Sequence, residues 1–213
     1  MTGTASAITK SAQLPRGLAG PLLLWLALQF GVLFLAGLQT PLSDKFTRPA
    51  ERRAIEEMLV AQIAVSSLLF PVILDGLWAT LAAIATAWPM LALAGVLSVR
   101  STGEVVRGAT YVSLWIGLLG VWSWILPGRR SRLIGCAVAA GLSIGGGLLA
   151  YLQIEFDTTA ATTWADVGFR GPILPALSAA AGWNWEPWNG LLYLIVITTV
   201  VAAVRIVVGR LRK

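Results

Sequence analysis

Few residues of this chain could take part in catalysis or bind a metal ion. Two of them are acids separated by a single residue. Glu155 and Asp157 precede a threonine-rich run, and carboxylate oxygens at this spacing could bind a hard cation such as calcium or magnesium. The motif is short and common, so a solvated loop start is the simpler interpretation. Glu155 and Asp157 are therefore weak candidate ligands, and we predict no metal site.

Asp75 is the only ionisable residue in the apolar run 58–99. If the chain turns at Asp75 and Gly76, the carboxylate caps the following helix and needs no further role. If the run is one broken helix, Asp75 lies deep in the membrane and is a candidate ion or proton site. The capping interpretation is the simpler of the two.

Tryptophan is concentrated in the stretch GWNWEPWNG, immediately before a wholly apolar run. Indole rings prefer the interface between acyl chains and headgroups, which predicts an interfacial position for Trp183, Trp185 and Trp188, with Trp164 nearby. Trp25, Trp78, Trp122 and Trp124 also fall near predicted span ends, so we expect an aromatic belt on both sides. The alternative is a stacking platform for a quinone, a carotenoid or other pigment, or a sugar.

Trp88 and Trp115 are the exceptions, because they fall inside predicted spans. We expect these two rings to pack against other helices or another subunit.

Several reaction classes are excluded by residue types that the sequence lacks. There is no histidine, the usual haem ligand and general base, and there is one cysteine, Cys136. This excludes bis-histidine cytochromes, Ser-His-Asp hydrolases and cysteine-based zinc or iron–sulfur sites. No phosphate-binding loop motif is present. We predict no cofactor, although a bound lipid, hydrophobic pigment or quinone is compatible with the sequence.

Composition predicts the fold class. The chain is 57% hydrophobic and 12% charged with a mean hydropathy of +0.77, whereas soluble domains are about 25% charged. The prediction is an all-α polytopic membrane helix bundle forming a single domain, 1–213. Its six spans are expected at about 20–39, 58–74, 76–99, 109–126, 133–152 and 188–208, with a longer external loop at 153–187. A five-span alternative makes 58–99 one long helix.

The distribution of charge predicts the orientation. With six spans, nine of the sixteen basic residues share the side that holds both termini, and nine of the ten acids lie on the other side. Short basic connections mark the cytoplasmic side. We therefore expect a multi-pass protein of the cell inner (cytoplasmic) membrane with both termini inside. The basic residues are dispersed along span ends, so the net charge of +6 does not indicate nucleic-acid binding.

Two external segments have their own predicted structure. Residues 49–57 place Arg52 and Glu56, and Arg53 and Glu57, at i,i+4 spacing, which predicts a solvent-facing helical extension of the second span. The apolar piece GPILPALSAAAG of the 153–187 loop is too short to span and is typical of a re-entrant or interfacial segment.

The fifth predicted span carries a row of small residues. Ala137, Gly141 and Gly145 recur every four residues and so share one helical face, which lets another helix approach to backbone contact. The sequence leaves open whether that helix belongs to this chain or to another.

These features predict a non-catalytic structural or accessory subunit of a larger membrane protein complex. The expected partners are the lipid bilayer and other membrane subunits, with no nucleic acid. The alternative is a transporter, channel or permease component, and a small lipid-modifying intramembrane enzyme is a third hypothesis.

Overall fold

A computed structural model describes residues 19–39, 53–74, 76–98, 100–126, 128–156, 172–173, 176–177, 191–192 and 194–203. The regular secondary structure of these residues is entirely helical, which confirms the predicted all-α class. The helices are α1 (Ala19–Gln39), α2 (Arg53–Ile73), α3 (Leu77–Leu97), α4 (Thr102–Ile125), α5 (Arg129–Phe156) and the shorter α6 (Leu194–Ala203).

Helices α2 and α3 form an antiparallel hairpin, so the run 58–99 is two helices and not one long helix. The side-chain amide of Gln62 donates to the Ala87 carbonyl at 3.2 Å, and the Ile55 N–H donates to Ser98 Oγ at 2.9 Å. Each pair joins residues at similar distances on either side of the turn, so the helices lie side by side along their length. The turn passes through Gly76 at φ 94°, a conformation that a residue without Cβ adopts freely.

The N-cap residue of α3 is Gly76, which has no side chain to accept a capping hydrogen bond. The predicted cap, Asp75, is outside the described residues, so its capping role stays a prediction.

Helices α2, α4 and α5 begin several residues before the predicted spans, and α5 also ends after its predicted span. Helix α4 was expected from about 109 but begins at Thr102, where Ser101 is the N-cap and accepts a hydrogen bond from the Glu104 N–H at 3.3 Å. Ser101 and Glu104 have the spacing of a capping box. Hydropathy marks only the apolar part of a helix, so polar first turns such as this one escape a span prediction.

Helix α2 is the centre of the bundle and packs against α1, α3, α4 and α5. The hydrophobic core includes Ile55, Met58, Leu59 and Ile63 of α2, which are fully buried. Ala54 and Ile55 are buried in the first turn of α2, so this turn is not the wholly solvent-facing extension that the charge pattern predicted.

Helices α3 and α4 approach each other closely at one glycine. A Cβ at Gly120 would lie 2.7 Å from Cγ2 of Thr80 and closer still to its Oγ1. Only glycine therefore fits this crossing without a shift of the backbone or of the buried Thr80.

Three helices, at Ala54–Ile73, Leu77–Leu97 and Thr102–Ile125, are long and apolar enough to cross a membrane, and Gly20–Leu35 and Leu194–Ala203 are shorter apolar helices. The architecture is therefore compatible with a membrane protein. The count of six spans, the single domain and the side on which each terminus lies stay predictions.

Part of the apolar loop piece packs on the bundle. Ala176 is fully buried in the core cluster, and its N–H donates to the Pro172 carbonyl at 3.2 Å to close a turn. Ile173 and Leu177 pack against the same core. This piece is thus in contact with the helices, as a re-entrant or interfacial segment would be.

Candidate functional site

Most of the predicted site residues lie outside the described part of the chain. This holds for Asp75, Asp157 and the four tryptophans Trp164, Trp183, Trp185 and Trp188. Glu155 lies in the last turn of α5, but its side chain is not described. The interfacial, stacking, ion-site and metal-ligand hypotheses for these residues stay predictions.

The described residues contain a different constellation, a layer of polar side chains at about the middle of the helices. Gln29 is at the midpoint of α1, Gln62 is next to the midpoint of α2, and Ser143 is near that of α5. Cross-helix hydrogen bonds join these residues and their neighbours. We call this set the central polar layer: Trp25, Gln29, Gln62, Ser67, Thr86, Trp88, Ser113, Trp115 and Ser143.

Two buried amides connect α1, α2 and α3 in this layer. Gln29 Nε2 donates to the Trp25 carbonyl at 3.4 Å, and Gln62 Nε2 donates both to the Ala87 carbonyl at 3.2 Å and to Gln29 Oε1. Each backbone carbonyl requires an NH₂ group opposite it, so neither amide can be flipped without losing a bond.

The same orientation leaves one acceptor unmet. Gln62 is 0% exposed, and none of the described residues donates a hydrogen bond to its Oε1. A buried polar atom without a partner costs free energy, and it marks a place where a donor from outside the described residues would be stabilised.

A serine hydroxyl connects α2, α4 and α5. Trp115 Nε1 donates to Ser67 Oγ at 3.1 Å, and Ser143 Oγ lies 2.7 Å from the same atom. Ser67 Oγ also lies 2.6 Å from the Ile63 carbonyl, and Ser143 Oγ lies 2.9 Å from the Ala139 carbonyl. Each hydroxyl has one proton, so either Ser143 donates to Ser67 and Ser67 to Ile63, or Ser67 donates to Ser143 and Ser143 to Ala139. In both arrangements the two hydroxyls are hydrogen-bonded within the bundle.

Two further indoles complete the layer. Trp25 is 1% exposed and donates to Thr86 Oγ1 at 3.2 Å, while its ring meets Phe70 edge-on at 4.9 Å. The prediction that Trp25 belongs to a boundary belt is therefore wrong, because a polar partner in α3 draws this indole into the core. Trp88 donates to Ser113 at 2.9 Å. The expectation that Trp88 and Trp115 pack against helices is confirmed.

At one end of the bundle, Arg100 forms ion pairs with residues of two helices. Arg100 lies between α3 and α4 and contacts Glu56 of α2 at 3.0 Å and Glu104 of α4 at 3.5 Å. Glu56 was predicted to pair along its own helix with Arg52, which is outside the described residues. The observed partner comes from a distant turn because the hairpin brings residue 100 beside the start of α2.

The predicted packing row on α5 faces away from the rest of the described chain. Ala137 and Gly141 are exposed, Gly145 is half-buried, and nothing lies within 4 Å of a Cβ built at either glycine. The opposite face of α5, with Ala139 and Ser143 fully buried, packs into the bundle. The helix-packing role of the row stays a prediction, and the described residues supply no partner for it.

The chemistry of the central polar layer is limited to hydrogen bonding. Its members are amides, hydroxyls and indoles, none of which exchanges a proton near neutral pH. Within the described residues there is also no group of three acidic, cysteine or histidine side chains that could hold a metal ion. The layer can therefore fix helices relative to one another or hold a polar group, but it has no acid–base pair.

In the sequence, Gln29, Gln62, Ser67 and Thr86 are polar residues within apolar runs, and such residues can bond across helices, but their positions do not predict a connected set. A signal was present, since Gln62 and Ala87 are equally far from the 74–75 boundary and meet once the hairpin is drawn. The pairing of Trp115 and Ser143 with Ser67 had no such signal.

Comparison of the chain with protein families, curated proteins and solved structures finds no match.

Proposed function

We propose that this chain is a non-catalytic subunit of a membrane protein complex, which binds other membrane subunits through α5. The observation that carries the proposal is the open row of Ala137, Gly141 and Gly145 on a helix whose other face is packed. A row of small residues forms a shallow groove that matches an approaching helix, because the backbones can then come into contact.

The free face of α1 provides the contrast. It exposes large side chains, among them Leu24, Leu28 and Phe34, which fill space against disordered acyl chains. Large apolar residues suit contact with lipid. Helix α5 also exposes large side chains such as Val138 and Ile144, but the row of Ala137, Gly141 and Gly145 beside them leaves a recess that lipid tails fill poorly. We therefore assign α1 to lipid and α5 to a partner subunit.

The interior supports a scaffold role. Side-chain hydrogen bonds of the central polar layer connect the five helices from α1 through α5. A bundle connected in this way keeps its outer faces in a constant arrangement. We place it in the cytoplasmic membrane with both termini inside, which is supported by the nine basic residues of that side.

The test is co-purification from native membranes in a mild detergent, with the wild type compared with Gly141→Leu. We expect the wild type to retain other membrane proteins in fixed stoichiometry. The leucine should remove them, because it fills the groove. As a matched control, Leu28→Ala on the lipid-assigned face of α1 should leave the complex intact. A wild type that purifies alone, or a complex unaffected by Gly141→Leu, would contradict the proposal.

One observation favours the alternative of a transporter, channel or permease component. Gln62 Oε1 is an unmet acceptor near the middle of α2 between three helices, and transporter binding sites lie near the bilayer midplane. Ion or solute flux through proteoliposomes of the purified chain, abolished by Gln62→Leu, would favour this alternative. The absence of flux with intact co-purification would favour the subunit.

A further inference from the structure

One end of the bundle is defined by four helix ends. The end of α2, the start of α3, the end of α4 and the start of α5 meet here, because α2 and α3 form a hairpin and residues 126–128 join α4 to α5. A Cβ at Gly135 of α5 would lie 3.6 Å from Cβ of Pro71 and 2.6 Å from Cδ1 of Leu126. We call this the turn end of the molecule.

The turn end carries exposed positive charge. Arg129 and Arg130 are the first two residues of α5, and both are exposed. The first turn of α5 contains no acid, and the sequence has none between Glu104 and Glu155. The described residues around this end, 70–74, 76–80, 120–126 and 128–135, include no acid, so basic residues outnumber acids among them.

At the opposite end of the bundle, an arginine forms ion pairs within the chain. Arg100 is bound by Glu56 and Glu104, which neutralise it, and its side chain is only 12% exposed. The charge of Arg100 is therefore compensated within the chain, whereas Arg129 and Arg130 present their charges outward at the turn end.

Two exposed indoles lie at the same end of the bundle as the arginines. Trp78, at the start of α3, is 80% exposed, and Trp124, at the end of α4, is 62% exposed. Indole rings with a free face concentrate at the boundary between acyl chains and headgroups. Since Arg129 and Arg130 follow Trp124 beyond the end of α4, this places their guanidinium groups at the level of the lipid phosphates.

From this arrangement we propose that the turn end binds the phosphate group of an anionic phospholipid, with Arg129 and Arg130 as its ligands and Trp78 and Trp124 against the acyl boundary. A guanidinium group can donate two parallel hydrogen bonds to phosphate oxygens. Anionic lipid fits better than zwitterionic lipid because a zwitterionic headgroup carries its own cation and leaves the arginines uncompensated. The site does not depend on the proposed subunit role, since it uses neither face of α5 near Gly141.

The test uses the full chain in phosphatidylcholine vesicles with and without phosphatidylglycerol. Phosphatidylglycerol should raise the midpoint of thermal unfolding of the wild type by about 4 °C or more. The double variant Arg129→Gln/Arg130→Gln should lose most of this shift. Arg129→Lys/Arg130→Lys should keep most of it because the charge is retained. Arg107→Gln removes a positive charge at the opposite end of the bundle and is the matched control. This variant should keep the whole shift in the unfolding midpoint.

Native mass spectrometry of the same samples should show phosphatidylglycerol retained by the wild type and lost from the glutamine variant. Equal midpoints in the two lipid mixtures would overturn the proposal, as would a full shift in the glutamine variant. The same shift produced by inorganic phosphate added to phosphatidylcholine vesicles would also overturn it, because a lipid headgroup would then not be required.

Discussion

Gly120 and Gly141 look alike in the sequence, since each is a glycine in an apolar helical run, but they occupy opposite environments. At Gly120 the side chain of Thr80 fills the space that a Cβ would take, and α3 is held against α4. At Gly141 no atom of the described residues lies within 4 Å of that position. The same residue type therefore closes a contact inside the bundle at one place and leaves a recess on its surface at the other.

The contrast extends to the polar residues around the two sites. The inward face of α5 places Ser143 against Ser67 in the central polar layer, whereas the exposed side chains between residues 133 and 145 are all apolar. The inner faces are specified by packing and hydrogen bonds together. The outer face of α5 offers shape complementarity without side-chain hydrogen bonds, so a partner helix must be recognised by close packing.

The largest expected effect is at the closed glycine. Gly120→Val places two methyl groups into Thr80 and should lower the free energy of unfolding by about 3 kcal/mol. The matched control is Gly117→Val in the same helix, where a Cβ meets nothing within 4 Å. The measurement is unfolding in mixed micelles with increasing SDS. Equal losses at the two positions would show that valine acts through helix propensity and not through the α3–α4 contact.

These helices show which features of the fold could be predicted from the sequence. Hydropathy predicted the all-helical class, and Asp75-Gly76 predicted the hairpin, because both depend on local chemistry. The predicted start of α4 was wrong because span prediction follows apolar residues, while the helix begins where the backbone conformation changes at Ser101. The capping by Asp75 stays a prediction.

The candidate site was less accessible to sequence reasoning. Gln29, Gln62 and Ser67 were visible as polar residues in apolar runs, but their bonds depend on the rotation of each helix about its axis. Trp25 was assigned to a membrane boundary because of its position in the chain, and its burial beside Phe70 depends on how α1 packs on α2 and α3. Such relations arise from tertiary packing, which no local pattern encodes.

An intermediate effect is expected in the central polar layer. Ser67→Ala leaves the buried Trp115 N–H without its acceptor and should cost about 1–2 kcal/mol of unfolding free energy. Ser66→Ala is the control, since Ser66 is equally buried but its hydroxyl donates only to the Ile63 carbonyl of its own helix.

The double variant Ser67→Ala/Trp115→Phe sharpens this test. Phenylalanine removes the stranded donor, so the double variant should lose less than the sum of the two single losses. Strict additivity would show that the Trp115–Ser67 bond contributes nothing to the stability of the layer.

The smallest expected effect on stability is at the open glycine, and it is the most informative about the partner. Gly141→Leu should change the free energy of unfolding of the isolated chain by no more than about 0.5 kcal/mol, because the leucine extends into unoccupied space. Ala139→Leu, two residues away on the fully buried face, should be clearly destabilising.

If the two variants are equally destabilising in purified chain, then another part of this same chain covers the recess of α5, and the assignment of that face to a partner subunit fails. If only Ala139→Leu is destabilising, the recess is free in the isolated chain. The loss of bound subunits in Gly141→Leu then reports on association alone, because the fold of the variant is intact.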